Sequence, residues 1–260
     1  MGAKRGIFPF RVNIYTNGGI GKMIITELTL LKCDSEYISK VFSVIITMIL
    51  SSFQCMYSQS LASRMSDFGL VDLGRMDSTI QVNLMYAADS NFTGVVLYDD
   101  LREAYLHPEA AEAVLKAQNE LHALFPGYNL LVKDAARPMS VQKKMFRAVQ
   151  GTPKANYVAN PAKGGGLHNY GLAVDITIVD EHGNELPMGT PVDHLGPEAN
   201  IDREAEMVVR GVISETERQN RLLLRRVMTA AGFKPLRTEW WHFNLVSKRQ
   251  AQAKYRLLDF

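Results

Sequence analysis

Apolar and polar residues alternate from Ile80 to Tyr86 (Ile-Gln-Val-Asn-Leu-Met-Tyr), the two-residue period of a half-buried strand. The pattern then changes. Pro108 to Phe125 is rich in Ala, Glu, Leu and Lys, has proline in its first turn and is followed by Pro126-Gly127, which predicts a helix. Tyr128 to Lys133 is predicted as a strand, and Ser140 as the cap of a short helix running through Val149. Three glycines, Gly164 to Gly166, predict a loop ahead of a buried strand over Leu172 to Val179, where β-branched residues dominate. Glu217 to Ala231 reads as a second helix with Gly232 as its stop, and a final strand pair is expected over Phe233 to Leu236 and Trp240 to Leu245. Strands and helices do not alternate regularly. The expected class is therefore α+β, a single compact domain with a central antiparallel or mixed sheet flanked by helices.

The 47% apolar content of the 260 residues suffices for one globular core. Of 29 Lys/Arg and 27 Asp/Glu, residues 1–62 hold six and three, which leaves 23 against 24 in residues 63–260. So balanced a body lacks the clustered cations of a nucleic-acid surface, and no nucleic-acid partner is expected. Both cysteines, Cys33 and Cys55, precede residue 63, so neither disulfides nor thiolate ligands serve the body. Lys40 followed by about ten apolar residues (41–50) and then Ser60-Leu61-Ala62 resembles a secretory signal more than a membrane span, which needs roughly 20. The expectation is an N-terminal extension, 1–62, that directs export to the periplasm, and a functional domain, 63–260, without stable membrane insertion. An uncleaved anchor and a lipid-modified Cys55 are the alternatives, and Met23 is an alternative start. The sequence specifies no oligomeric state.

Asp175 lies within Leu-Ala-Val-Asp-Ile-Thr-Ile, where an ionised carboxylate between apolar neighbours needs a cation or several donors. His168 follows the glycine loop, and His242 stands in Glu239-Trp240-Trp241-His242-Phe243. Taken singly, each has a plainer reading: Asp175 bonded to amides or an Arg, His168 exposed, His242 a satisfied core residue. Together, two imidazoles and one carboxylate make a first shell for a catalytic zinc that keeps a fourth position for water. Glu239 would stay off the metal and act as base toward that water, or else be a surface carboxylate. Glu239 and His242 are three apart, so in a regular strand they face opposite sides, and a bend is required to bring both to one site. Arg137, whose backbone is restricted by Pro138, would place a fixed cation for a tetrahedral oxyanion, or pair with a surface Asp. His107 and His122 are assigned to the first helix and His182 to a turn, all without a site role; His194 is the one other histidine near the expected pocket.

The motif HxxGxAxD at His168 to Asp175, Arg137-Pro138 and Glu-Trp-Trp-His-Phe at 239 to 243 closely resemble the zinc D-alanyl-D-alanine dipeptidases of the VanX type, which are related to D,D-carboxypeptidases and Hedgehog domains. The resemblance extends over most of residues 70 to 245, including Asn91-Phe92-Thr93-Gly94 and Met188-Gly189-Thr190. It implies one zinc held by His168, Asp175 and His242, Glu239 as catalytic base and acid, Arg137 steadying the transition state, and Asp193 meeting the free ammonium of a small dipeptide substrate. The implied reaction is hydrolysis of D-Ala-D-Ala by metal-bound water in peptidoglycan turnover or recycling. A D,D-carboxypeptidase or wall endopeptidase and a non-catalytic zinc-stabilised binding domain are the competing functions. The Trp-Trp before His242 favours the dipeptidase, because the carboxypeptidase branch more often has Pro at the first of those positions. One departure is Gly166, where the family usually has Ser.

Overall fold

A computed structural model describes residues 14–16, 19–21, 40–46 and 59–260. The chain divides into two units, Met1–Ser58 and Gln59–Phe260. In the first, β1 (Ile14–Thr16) pairs antiparallel with β2 (Gly19–Gly21), and residues 40–46 form a short helix, α1, with exposed side chains. Only the start of the apolar run 41–50 is thus described; Cys33 and Cys55 lie outside the described residues. No described helix is long and apolar enough to cross a membrane.

The second unit opens with α2 (Leu61–Asp67), whose N-terminus is capped by Ser60 accepting from the Ser63 amide, so the boundary drawn at 62/63 falls inside this helix. Next come β3 (Val71–Asp72), α3 (Leu73–Met76), β4 (Gln81–Val82), β5 (Tyr105–Leu106), α4 (Pro108–Leu124), β6 (Asn129–Asp134) and α5 (Met139–Val149). After the glycine loop the chain forms β7 (Ala173–Val179), α6 (Glu204–Val209), α7 (Glu215–Ala230), β8 (Lys234–Leu236), β9 (Glu239–Asn244) and α8 (Lys248–Lys254). β3 and β5 form a small antiparallel pair, and the main sheet runs β4-β6-β7-β9-β8, parallel between β4 and β6 and antiparallel elsewhere. This is the expected mixed-sheet α+β domain.

Every residue of β7 is buried, as its β-branched sequence requires of a central strand. α4 packs on α7 and against β6. Its Ala110, Val114, Ala117 and Leu121 share one helical face and are fully buried, and a side chain such as Leu121 contributes about 2 kcal/mol by leaving water. α7 starts two residues before the predicted Glu217 because Ser214 and Glu217 form a reciprocal capping box: the Ser214 amide donates to Glu217 Oε2 (2.6 Å) and the Glu217 amide to Ser214 Oγ (3.2 Å). Gly232 follows with φ of 103°, a stop conformation open to glycine.

Three expectations are corrected. From Ile80 to Tyr86 the buried residues still alternate, but only Gln81–Val82 is strand. The chain then turns into a 3-10 helix at Met85–Ala87, and the Tyr86 carbonyl accepts from Leu97 and Tyr98 instead of from a neighbouring strand. Ser140 is not a cap. The free amides of Met139 and Ser140 donate to the carbonyls of Leu258 and Phe260 (2.8 and 3.1 Å), so the C-terminal segment replaces a capping side chain. His107 is the residue before α4 rather than part of it, and its ring accepts from the Glu109 amide.

Candidate metal centre and its pocket

β7 and β9 set Asp175 directly opposite His242. Side chains at such paired positions project from the same face of the sheet, so strand register alone brings carboxylate to imidazole, with Asp175 Oδ1 and His242 Nδ1 2.9 Å apart. His168 arrives from the 3-10 turn Leu167–Tyr170 just before β7. Its Nε2 lies 3.4 Å from Asp175 Oδ2 and 3.2 Å from His242 Nδ1. The three donor atoms lie within 4.8 Å of one another and could hold a metal ion.

The chemistry of this donor set fits zinc. Ligands on a tetrahedral ion with bonds of about 2.1 Å stand roughly 3.4 Å apart, close to the spacings found here. Each imidazole has its outer nitrogen engaged: His168 Nδ1 donates to the Ala135 carbonyl (2.7 Å) and His242 Nε2 to Asn244 Oδ1 (3.0 Å). These bonds leave Nε2 of His168 and Nδ1 of His242 as the atoms that face the cluster centre. Burial alone would raise the Asp175 carboxyl, but the adjacent His168 and His242 hold it well below the usual carboxylate range. Burial opposes charging of His242, yet its bonds to Asp175 and the nearby Glu239 charge raise it to about 9. A proton held so firmly at that position is what a metal would replace.

Glu239 reaches the same site through an irregularity in β9. Pro235 pairs with Phe243 and the next residue, Leu236, with Glu239, so Trp240 to His242 bulge from the β8 ladder. This is the bend that the three-residue spacing demands. Glu239 Oε2 stands 3.9 Å from His242 Nδ1, and burial raises its carboxyl above the ordinary range. A cavity of about 320 Å³ is lined by His168, Asp175, His242, Glu239, Arg137 and Asp193, which brings together all six residues singled out by the sequence.

Arg137 pairs with an Asp, though with a buried one. Its Nε and Nη2 both donate to Asp134 Oδ2, Nη1 donates to Gln142 Oε1 (3.2 Å), and its guanidinium lies over the Tyr86 ring. Asp134 is fully buried, accepts from Tyr98 Oη (2.7 Å) on its other oxygen and comes within 3.6 Å of His168 Nδ1. One carboxylate therefore fixes the cation and places negative charge near a metal-ligand candidate. Asp193 accepts from Tyr86 Oη (2.6 Å), and burial together with the Asp175 charge raises it to about 8.

Asn244, Asp134 and Tyr86 were not among the predicted site residues. Asn244 follows His242 by two, the strand period that puts both on one face, so a signal was present. Asp134 ends an apolar strand beside Ala-Ala-Arg-Pro, where an acid calls for a partner. Tyr86 carried no such signal. His194 bonds Glu198 (2.9 Å) within its own loop. In the glycine loop, a side chain at Gly165 (φ 61°) would collide with Asn169, whereas one at Gly166 would meet only Ala159 Cβ at 3.3 Å. Lys248 ties this loop to α8 by donating to the carbonyls of Gly165 (2.7 Å) and Lys163 (3.2 Å).

Residues 66–258 match the Peptidase M15 family, described as D-Ala-D-Ala dipeptidase. The chain belongs to this family. It is therefore a peptidase of the D-Ala-D-Ala dipeptidase group. Among similar proteins is the D-alanyl-D-alanine dipeptidase of Escherichia coli, 34% identical over 176 residues that cover 68% of this chain and 84% of that protein. Proteins of the same name from Enterococcus faecium (32% over 202 residues, 69% and 92% covered) and Enterococcus faecalis (28% over 201, 69% and 93% covered) are also similar.

Proposed function

We propose that this peptidase hydrolyses free D-Ala-D-Ala with the help of one zinc ion held by His168, Asp175 and His242. The observation that carries the reading is the convergence of those three donors, each imidazole bonded at its outer nitrogen, with Glu239 beside them in one cavity. When bound, zinc would supply Lewis acidity toward water and the scissile carbonyl.

The chain's own residues do the rest. Glu239 takes the proton of the attacking water and passes it to the departing amine, and its burial-raised proton affinity suits both acts. Arg137, fixed by Asp134, presents a positive charge to the carbonyl oxygen as negative charge grows there, at no cost in reorientation. Asp193 receives the substrate ammonium. Its own charge is suppressed by burial until a cation arrives, so an unblocked amine is rewarded and a longer chain is not. A zinc retained for structure alone would need neither Glu239 nor Arg137.

The reading extends to residues 1–62 as an export extension, with residues 63–260 acting in the periplasm on dipeptide from peptidoglycan turnover; Lys40 and the apolar run behind it support this. The mass of the exported protein tests that part. The enzymatic reading is tested by metal analysis of the purified protein with a panel of dipeptide stereoisomers and a D-Ala-D-Ala-terminated pentapeptide. One zinc per chain and cleavage confined to the free D,D-dipeptide are expected. Faster release of D-Ala from the pentapeptide would replace the dipeptidase by a carboxypeptidase.

A further inference from the structure

Asp193 is the one non-glycine residue with a positive φ (63°) among the described residues. Asp tolerates that region better than most side-chain-bearing residues, and a turn of this shape is kept by the contacts that hold the loop on either side. Tyr86 holds the carboxylate (2.6 Å), and the loop that carries it is held by α7 and by the residue after Glu239. On α7, Asn220 Nδ2 donates to the Pro187 carbonyl (2.8 Å), and Arg221 grips both ends of the loop, with Nε on the Met188 carbonyl (2.6 Å) and Nη1 on the Glu198 carbonyl (3.0 Å). Thr190 Oγ1, three residues before Asp193, accepts from the Trp240 indole N–H (2.8 Å) and has Arg221 Nη2 at 3.5 Å. Gly189 lies so close to the chain entering α7 that a Cβ there would stand 2.6 Å from Ile213 Cγ2.

The Arg221 side chain is fully buried, and the carboxylate nearest it, Glu204 at 3.9 Å, is bound more closely by Arg225 (2.5 Å). Arg221 therefore directs its rigid fork mainly at loop oxygens, with the Trp240 ring 5.8 Å from its guanidinium carbon. Trp240 thus joins the strand that carries the base to the loop that carries Asp193.

We propose that Arg221 and Trp240 form a clamp, closed on Thr190, that sets the pose of Asp193 and so determines the enzyme's demand for a free amino terminus. Both are positioning residues, and the inference rests on the reading of Asp193 as the ammonium site. A dipeptidase with this clamp distinguishes substrates by the amine, at a distance from the bond it breaks.

The test uses Trp240→Phe, which keeps the ring and deletes the donor, and Thr190→Val, which keeps the shape and deletes the hydroxyl. Each is compared with the parent zinc-loaded enzyme on D-Ala-D-Ala and on its N-acetyl derivative, with zinc content and melting temperature measured in parallel. KM for the free dipeptide is expected to rise about tenfold in both variants with kcat within twofold, while kcat/KM for the blocked dipeptide and the zinc content stay put, so selectivity falls by the same factor. Arg221→Lys, which cannot span both carbonyls, is expected to show the same split more strongly. A parent that cleaves the blocked dipeptide as well as the free one overturns the reading of Asp193 and the clamp with it. A parent that discriminates, with Trp240→Phe and Thr190→Val discriminating equally or losing rate on both substrates alike, overturns the clamp alone.

Discussion

Asp175 and His242 meet because they stand opposite each other in adjacent central strands, whereas Asp193 reaches the same cavity from a stretch between Met188 and Gly196 that has neither strand nor helix. The first arrangement is set by a repeating ladder of backbone bonds, and moving one ligand would require slipping a strand buried along its whole length. The second is held by a few side-chain bonds from Tyr86, α7 and Trp240. Two of the three candidate metal ligands thus sit on the sheet, whereas the proposed ammonium site sits on a loop that can change without moving them.

The comparison breaks most completely at the sheet. Asp175→Asn removes the charged donor and leaves two imidazoles, and zinc content by mass spectrometry is expected to fall to background together with all turnover; a variant that kept stoichiometric zinc would remove Asp175 from the ligand set. Glu239→Ala separates binding from chemistry. It should fold and retain zinc but lose about 10²- to 10⁴-fold in kcat. Hydrolysis at the parental rate would show that another group is the base.

Proton competition sharpens the picture further. In the metal-free protein His242 keeps its proton until pH passes about 9. Zinc must displace that proton, so apparent affinity is expected to rise with pH, by about tenfold per unit, and to level off above 9. A titration of the metal-free protein with a competing chelator at several pH values would reveal a flat profile if His242 were not a ligand. Asn244→Ala leaves every ligand in place but frees the outer nitrogen of His242. A 10- to 100-fold loss of zinc affinity is expected, with kcat at saturating zinc little changed.

The smallest expected effect lies on the loop side. Burial and the Asp175 charge raise Asp193 to about 8 in the metal-free protein. The unfolded chain releases this proton near pH 4, so stability from this residue is full below that range, declines as pH rises toward 8 and is flat beyond. Asp193→Asn abolishes that slope and should raise the melting temperature of metal-free protein by ~4 °C at pH 7. Calorimetry across pH 5 to 9 checks it. An unchanged slope would place the titration elsewhere.

The convergence of His168, Asp175 and His242 was legible because acid and imidazole interrupt otherwise apolar strand sequence, and a buried charge announces its need for a partner. The requirement of a bend between Glu239 and His242 was equally readable from spacing, and β9 bulges where it must. What stayed hidden depends on contacts distant in sequence. Ser140 looks like a cap until the carbonyls of Leu258 and Phe260 occupy its role, and Ile80 to Tyr86 alternates like a strand although its later half has no neighbour to pair with. Asp134 signals a need for a partner without naming it, and Arg221 sits in ordinary local sequence. Only the fold shows that one fixes Arg137 and the other holds a loop more than twenty residues away.

The segment 258–260 does more than finish α5. The Leu258 amide also donates to the carbonyl of Asn169, the neighbour of His168, at 2.9 Å. Leu258 thus ties the start of α5 to the turn that carries His168, so Arg137 just before α5 and the His168 turn are pinned to one another from outside the sheet.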